Sequence, residues 1–198
     1  MAQPLPGRPA QLKMAPSFRP ETEPKDPYAK AGVMILLYPN QSDLSLVLIK
    51  RPEYEGVHSA QISFPGGKFE QSDPDLIFTA LRETEEEVGV PSANIDFLGT
   101  LTSLYIPVSE IEVFPSVGYA IQKPSFKIDP AEVDYLIEVS LKDLMNPAIL
   151  HSKKFSNIKY QGEIPYYDVQ DNHVWGATAM ILSEFMEIVQ TLIATGNP

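Results

Sequence analysis

At 198 residues, with 43% hydrophobic side chains and no cysteine, the chain is sized for one domain with a real core and cannot form disulfides, thiolate metal sites or cysteine nucleophiles. Its 26 acidic residues against 15 basic ones leave a formal net charge of -11, which disfavours a protein that lives on nucleic-acid phosphates, because that partner needs a basic face. The N-terminus lacks the basic start and apolar core of a secretory signal, and no apolar run approaches a membrane span, so the expectation is a soluble, cytoplasmic protein with no membrane partner.

Seven prolines (Pro4, Pro6, Pro9, Pro16, Pro20, Pro24, Pro27) crowd the first 28 residues. That density favours extended, weakly packed chain. Residues 1–28 are therefore read as an extension, which either lies on the domain or completes a homodimer or a lid, and residues 29–198 as a single domain. Gly32 to Tyr38 reads as a buried strand, Pro39 to Asp43 as a turn, and Leu46 to Ile49 as a second strand. A polar loop, Pro52 to Ser63, leads to Phe64-Pro65-Gly66-Gly67.

Asp73-Pro74-Asp75 predicts a helix start, with Asp73 as N-cap and Pro74 in the first turn, and Gly89 predicts its end. Within it, Leu76, Ile77, Ala80, Leu81, Thr84 and Val88 share one arc suited to packing on a sheet. Further strands are expected at Phe97 to Leu101, Glu112 to Ile121 and Val133 to Val139, and a short helix capped by Ser140. A final helix, Ala177 to Ala194, carries Met180, Ile181, Phe185, Ile188, Val189 and Leu192 as a core stripe. Phe64 and Trp175 read as packing residues. Strands interspersed with helices give an α/β (α+β) fold.

The chemistry lies in Arg82-Glu83-Thr84-Glu85-Glu86-Glu87-Val88-Gly89-Val90. Glu83 and Glu87 are one helical turn apart with Glu86 beside them, while Glu85 points to solvent. On an exposed face such a run is merely solvated. If the flank is enclosed, each pair repels by roughly 3 kcal/mol at an effective dielectric of about 20 and needs a cation. Hard carboxylate oxygens suit Mg²⁺ or Mn²⁺, with substrate phosphates completing the shell. Gly66 and Gly67 allow close backbone approach. They do not form a Walker loop, which would need Gly at Ile62 and Ser or Thr at Phe69.

This segment resembles the Nudix hydrolase signature, G-x5-E-x7-R-E-U-x-E-E-x-G-U with U aliphatic. Arg82, Glu83, Glu86, Glu87, Gly89 and Val90 match, and Thr84 stands at an aliphatic position. The loop is one residue longer than usual, which sets Asp73 at the early acidic position counted from Gly67. That expansion, together with Val47 to Arg51, His58, Gln61 and Phe64-Pro65-Gly66-Gly67, is similar to the coenzyme A pyrophosphatase branch, from which Pro52, Gly56 and Ala60 depart. The resemblance implies an α/β/α sandwich around a mixed sheet and hydrolysis of a nucleoside diphosphate derivative, coenzyme A or one of its derivatives foremost. ADP-ribose, dinucleotides and nucleoside triphosphates are the alternatives, as is a catalytically silent nucleotide-binding module.

The resemblance further implies Mg²⁺ or Mn²⁺ held by Glu83, Glu86, Glu87 and the Gly66 carbonyl. Glu86, Glu132 and Arg82 are the expected catalytic residues, with Glu132 as base or extra ligand and Arg82 orienting the glutamates. Arg51, His58, Gly67 and Lys68 are the expected substrate contacts. His58 also reads as a loop histidine making a structural hydrogen bond.

Overall fold

The computed structural model describes residues 4–20, 28–53, 55, 59–157 and 160–196. Its centre is strand β1 (Ala29–Asn40), which turns at Gln41 (φ 57°) into β2 (Asp43–Lys50). β1 changes neighbours along its length. Leu37–Asn40 pair with β2, whereas Ala31–Val33 pair with the short strand β4 (Gly66–Lys68). β2 carries β3 (Ile62–Ser63) and β8 (Tyr135–Ser140). On its other side β1 runs parallel to β7 (Ile111–Tyr119), which pairs with β5 (Asp96–Thr100) and β6 (Leu104–Ile106). These eight strands form one mixed sheet.

Period-2 alternation along β1 sends Met34, Leu36 and Tyr38 to one face and Ile35 and Leu37 to the other. The first face packs beneath α2 (Leu76–Val88). Gly32 makes that contact close: a Cβ there would sit 2.3 Å from the Leu76 carbonyl oxygen and 2.9 Å from the Ala80 nitrogen. The second face meets α4 (Gly176–Thr195) and a second sheet of β9 (Leu150–Ser156), β10 (Gln161–Val169) and β11 (Asn172–Trp175). α3 (Leu141–Leu144) is capped by Ser140, as the sequence predicts. The result is a sandwich with α2 on one face of a mixed sheet and α4 on the other.

Several expectations need correcting. Asp75, not Asp73, caps α2, accepting from Phe78 N at 2.8 Å. The buried stripe of α2 is Thr79, Ala80, Thr84, Glu87 and Val88, so it is rotated toward Glu87 and leaves Leu76, Ile77 and Leu81 half-buried. Leu192 is 51% exposed, because burial along α4 fades after Met186. α4 does reach the length and apolar character of a membrane span, yet Thr178–Met186 are spent inside the core. Trp175 is exposed, while Phe64 is buried as expected.

The proline-rich segment contains a helix, α1 (Gly7–Leu12), that docks on α4. Pro9 falls in its first turn, where a missing N–H costs little. The dock is polar at its centre. Glu184 is fully buried and accepts from Gln11 Nε2 at 2.8 Å, Thr102 Oγ1 at 2.7 Å, and the backbone N–H groups of Thr102 and Gly7 at 3.2 Å each. Such a carboxylate is tolerated only because it is hydrogen-bonded on all sides. Gln11→Ala removes one donor and is expected to lower unfolding free energy by about 1–3 kcal/mol, read as a fall in the urea midpoint with turnover retained.

Candidate functional site

The partner change along β1 brings β4 under the C-terminal half of α2. Gly66 has φ 150°, and a Cβ there would lie 2.4 Å from the Gly32 carbonyl oxygen, so this position requires glycine. Its N–H donates to Glu87 Oε2 at 2.8 Å. At Gly67 a Cβ would come within 2.3–2.5 Å of the Glu83 carboxylate atoms. The two glycines are thus the floor on which two carboxylates rest.

Glu87 has 1% of its surface exposed, and its Oε1 makes no hydrogen bond. The Arg51 guanidinium lies 3.2 Å from that atom but directs its hydrogen bond to the Gly66 carbonyl, at 2.8 Å. Burial pushes the Glu87 carboxyl up to about 7, against the opposing pull of Arg51 and the Gly66 N–H. Glu83 is also raised by burial, with Arg82 pulling the other way.

Glu132 reaches the same place from a different element. The loop before β8 is tied to the end of α2 by Lys127 N to the Val88 carbonyl at 2.9 Å and Asp129 N to the Glu87 carbonyl at 3.2 Å. Gly89 ends α2 in a left-handed conformation (φ 70°), and a Cβ there would meet the Lys127 carbonyl oxygen at 2.7 Å. Asp129 then caps the turn that carries Glu132, accepting from Ala131 N at 2.8 Å. Glu83, Glu87 and Glu132 each offer a carboxylate oxygen within 4.8 Å of the others. Two full charges at that separation repel by about 3 kcal/mol at an effective dielectric near 20, less for the exposed Glu132.

Arg82 holds the acidic flank in place. Its Nε and Nη2 fork onto Asp73 at 3.0 Å each, and its Nη1 donates to Glu83 Oε1 and Glu86 Oε2 at 2.9 Å each. Nη2 also reaches the Lys68 carbonyl at 3.3 Å. The fork holds the Asp73 carboxyl down at about 2 and raises the Arg82 guanidinium. Thr79 Oγ1 and Glu70 N donate to the same Asp73 carboxylate.

Of the residues named from sequence, Glu83, Glu87 and Glu132 converge, Gly66 and Gly67 floor them, and Arg51 adjoins Glu87. Glu86 stands beside this group, 55% exposed at its side chain and tied to Arg82. The Gly66 carbonyl, expected toward a metal, accepts from Arg51. Lys68 is exposed at the end of β4. His58 and Gly56 lie outside the described residues. Sequence reasoning assigned no site role to Asp73, although its place at the early acidic position of the box was the available signal.

The site fits a hard divalent cation: three oxygen donors converge, and one of them is a buried carboxylate oxygen with an unused lone pair. Comparisons with known proteins identify the family. A profile of the NUDIX domain matches residues 29–171. The chain is 34% identical over 146 residues to an uncharacterized Nudix hydrolase NudL of Photorhabdus laumondii, covering 74% of this chain and 78% of the relative. It is 31% identical over 174 residues to an uncharacterized Nudix hydrolase NudL of Pectobacterium atrosepticum, covering 88% of each. Among solved structures, the Nudix hydrolase RenU from M. smegmatis superposes with a TM-score of 0.57 at 14% identity, over 82% of this chain and 86% of that one, a likeness of fold.

Three outcomes are expected. A carboxyl titrating near 7 must lose its proton to bind metal, so Mn²⁺ affinity should be level above about pH 7 and fall by up to tenfold per unit below it. The sign for folding is the reverse. Glu87, raised from 4.5, favours the metal-free fold below its unfolded pKa, and that contribution is lost as pH rises toward 7. Calorimetry of Mn²⁺ binding and thermal melts across pH 5–9 check both. Asp73→Asn, which breaks the fork behind the ligands, is expected to weaken Mn²⁺ binding by about 10–100-fold, with the far-UV spectrum unchanged.

Proposed function

The chain belongs to the Nudix hydrolase family and is a hydrolase of phosphoric anhydride bonds; from that premise we propose that it cleaves the diphosphate of a nucleoside diphosphate derivative, coenzyme A or a coenzyme A derivative foremost. The observation that carries the reading is the buried Glu87, which converges with Glu83 and Glu132 and whose Oε1 accepts no hydrogen bond, with the Arg51 guanidinium 3.2 Å away. It is a carboxylate built to be completed by something positive. The preference within substrates rests on the extra residue between Gly67 and Arg82 and on the flanking Val47 to Arg51 and Phe64 to Gly67 segments, which resemble the coenzyme A branch.

Glu83 and Glu87, with Glu132, would hold Mg²⁺ or Mn²⁺, and Glu86 would be recruited from its ion pair with Arg82. When bound, the ion neutralises the diphosphate and activates water. Everything else is supplied by the chain. Gly66 N–H fixes one oxygen of Glu87 so that the other faces the site. Asp73 holds Arg82, and Arg82 holds Glu83 and Glu86, so the acids keep their positions before substrate arrives. Glu132 is exposed on a loop rather than on α2. It is the carboxylate best able to take a proton from water, because it lacks a guanidinium partner among the described residues. Arg51, a quarter exposed at its side chain, is the cation nearest the buried acid and a natural contact for the diphosphate. Gly67 and Lys68 line the same approach.

The deciding experiment is a substrate panel with Mg²⁺ and Mn²⁺, with products identified by mass spectrometry. Coenzyme A is expected to yield 4'-phosphopantetheine and adenosine 3',5'-bisphosphate; hydrolysis confined to ADP-ribose, dinucleotides or nucleoside triphosphates rejects the coenzyme A reading. Glu87→Gln should lose most turnover while remaining folded. Near-normal metal-dependent hydrolysis by that variant would sink the metal assignment.

A further inference from the structure

The second sheet has an inner face, Tyr167, Val169 and Val174, that joins the core. Its outer face is aromatic and cationic. Register sets Tyr166 opposite His151 on one side and Trp175 on the other, so all three share that face. Tyr166 stacks with His151 at 5.5 Å between ring centroids and lies 4.3 Å from His173. Lys153 Nζ sits 5.6 Å from the Tyr166 ring and 5.9 Å from the Trp175 ring. Trp175 is 37% exposed. In a chain of net charge -11, two of three histidines and a lysine gather here, with Asp168 opposite His173 as the facing acid.

The protein itself shows what this face accepts. At its far end the Phe18 ring lies 5.3 Å from both Phe155 and Tyr160, stacked on each. A flat ring therefore covers one half, and the other half carries the cation. The uncovered half is tied through the chain to the strand that leads into the glycine pair. Thr178, just after Trp175 at the start of α4, donates to the Ile62 carbonyl at 2.8 Å, and Gly66 follows Ile62 by four residues, a span of at most about 14 Å.

We propose that the outer face of β9–β10–β11 is a base-stacking subsite, in which Trp175 receives the heteroaromatic ring of a nucleotide and Lys153 the phosphate attached to it. This deepens the hydrolase reading and rests on the substrate being a nucleotide derivative. Stacking suits an aromatic surface without base-specific donors, and the ammonium between two rings adds the attraction for the anion. Gly56 stands where the resembled branch carries an arginine, and Lys153 offers a cation from another element.

Trp175 is the sole tryptophan, so fluorescence excited selectively at tryptophan reports on this face. Metal-free protein is titrated with adenosine 5'-monophosphate, adenosine and ribose 5-phosphate. Saturable quenching is expected from the monophosphate, weaker quenching from adenosine, and none from ribose 5-phosphate. Lys153→Ala should weaken the monophosphate about tenfold and leave adenosine unchanged. Glu87→Gln should quench as the parent does. Absence of saturable quenching in an active enzyme, or equal monophosphate binding by Lys153→Ala, overturns the subsite and leaves the hydrolase reading standing. Quenching in a protein that hydrolyses nothing keeps the subsite and overturns the hydrolase reading.

Discussion

Burying the Glu87 carboxylate is the demand around which the rest is arranged. An acid with 1% of its surface exposed would ordinarily be neutral or fully paired, and this one is neither. Gly66 N–H satisfies one oxygen, Arg51 stands 3.2 Å from the other without bonding it, and the result is an acid held on the edge of ionisation. The glycines follow from this. Side chains at Gly66 or Gly67 would occupy the space of the Gly32 carbonyl and the Glu83 carboxylate. Gly32 follows as well, since α2 must lie directly on β1 for Glu87 to reach β4.

Two charge systems flank that acid and divide the labour. Arg82 is saturated by Asp73, Glu83, Glu86 and the Lys68 carbonyl, so it orders carboxylates and has little left for a ligand. Among the described residues Arg51 has fewer commitments, to the Gly66 carbonyl and Glu87, which leaves it better placed than Arg82 to meet a ligand. The remote Glu184 shows the opposite design. Four donors satisfy it, and it serves only to fasten α1 to α4.

The box was legible because it packs glycines, a helix stop and ordered acids into a pattern that each residue supports independently. Glu83, Glu87 and the solvated Glu85 all follow from helical geometry. Asp73 was misread because Asp-Pro-Asp offers two capping acids two residues apart, and only the tertiary fork from Arg82 takes the first and leaves the cap to the second. The second sheet escaped notice because its outer face alternates His151, Lys153 and Phe155. Those residues carry no apolar run, and their pairing with β10 is a long-range fact. α1 was hidden by prolines that a first helical turn tolerates. Trp175 was read as a packing residue, whereas it is 37% exposed and register with Tyr166 places it on the outer face.

The change of partner along β1 also fixes both ends of the loop that precedes the site. β4 takes its register from Ala31–Val33, and β3 takes its own from Ile49 and Lys50. The segment from Arg51 to Gln61 is therefore closed at both ends by pairing that does not depend on what lies between, with Arg51 N bonded to the Gln61 carbonyl at 3.0 Å. Lengthening such a closed loop costs little, about 0.6 kcal/mol per doubling. Changes between Pro52 and Ala60 therefore leave the register of β3 and β4, and with it the glycine floor under Glu83 and Glu87, where the flanking strands set it.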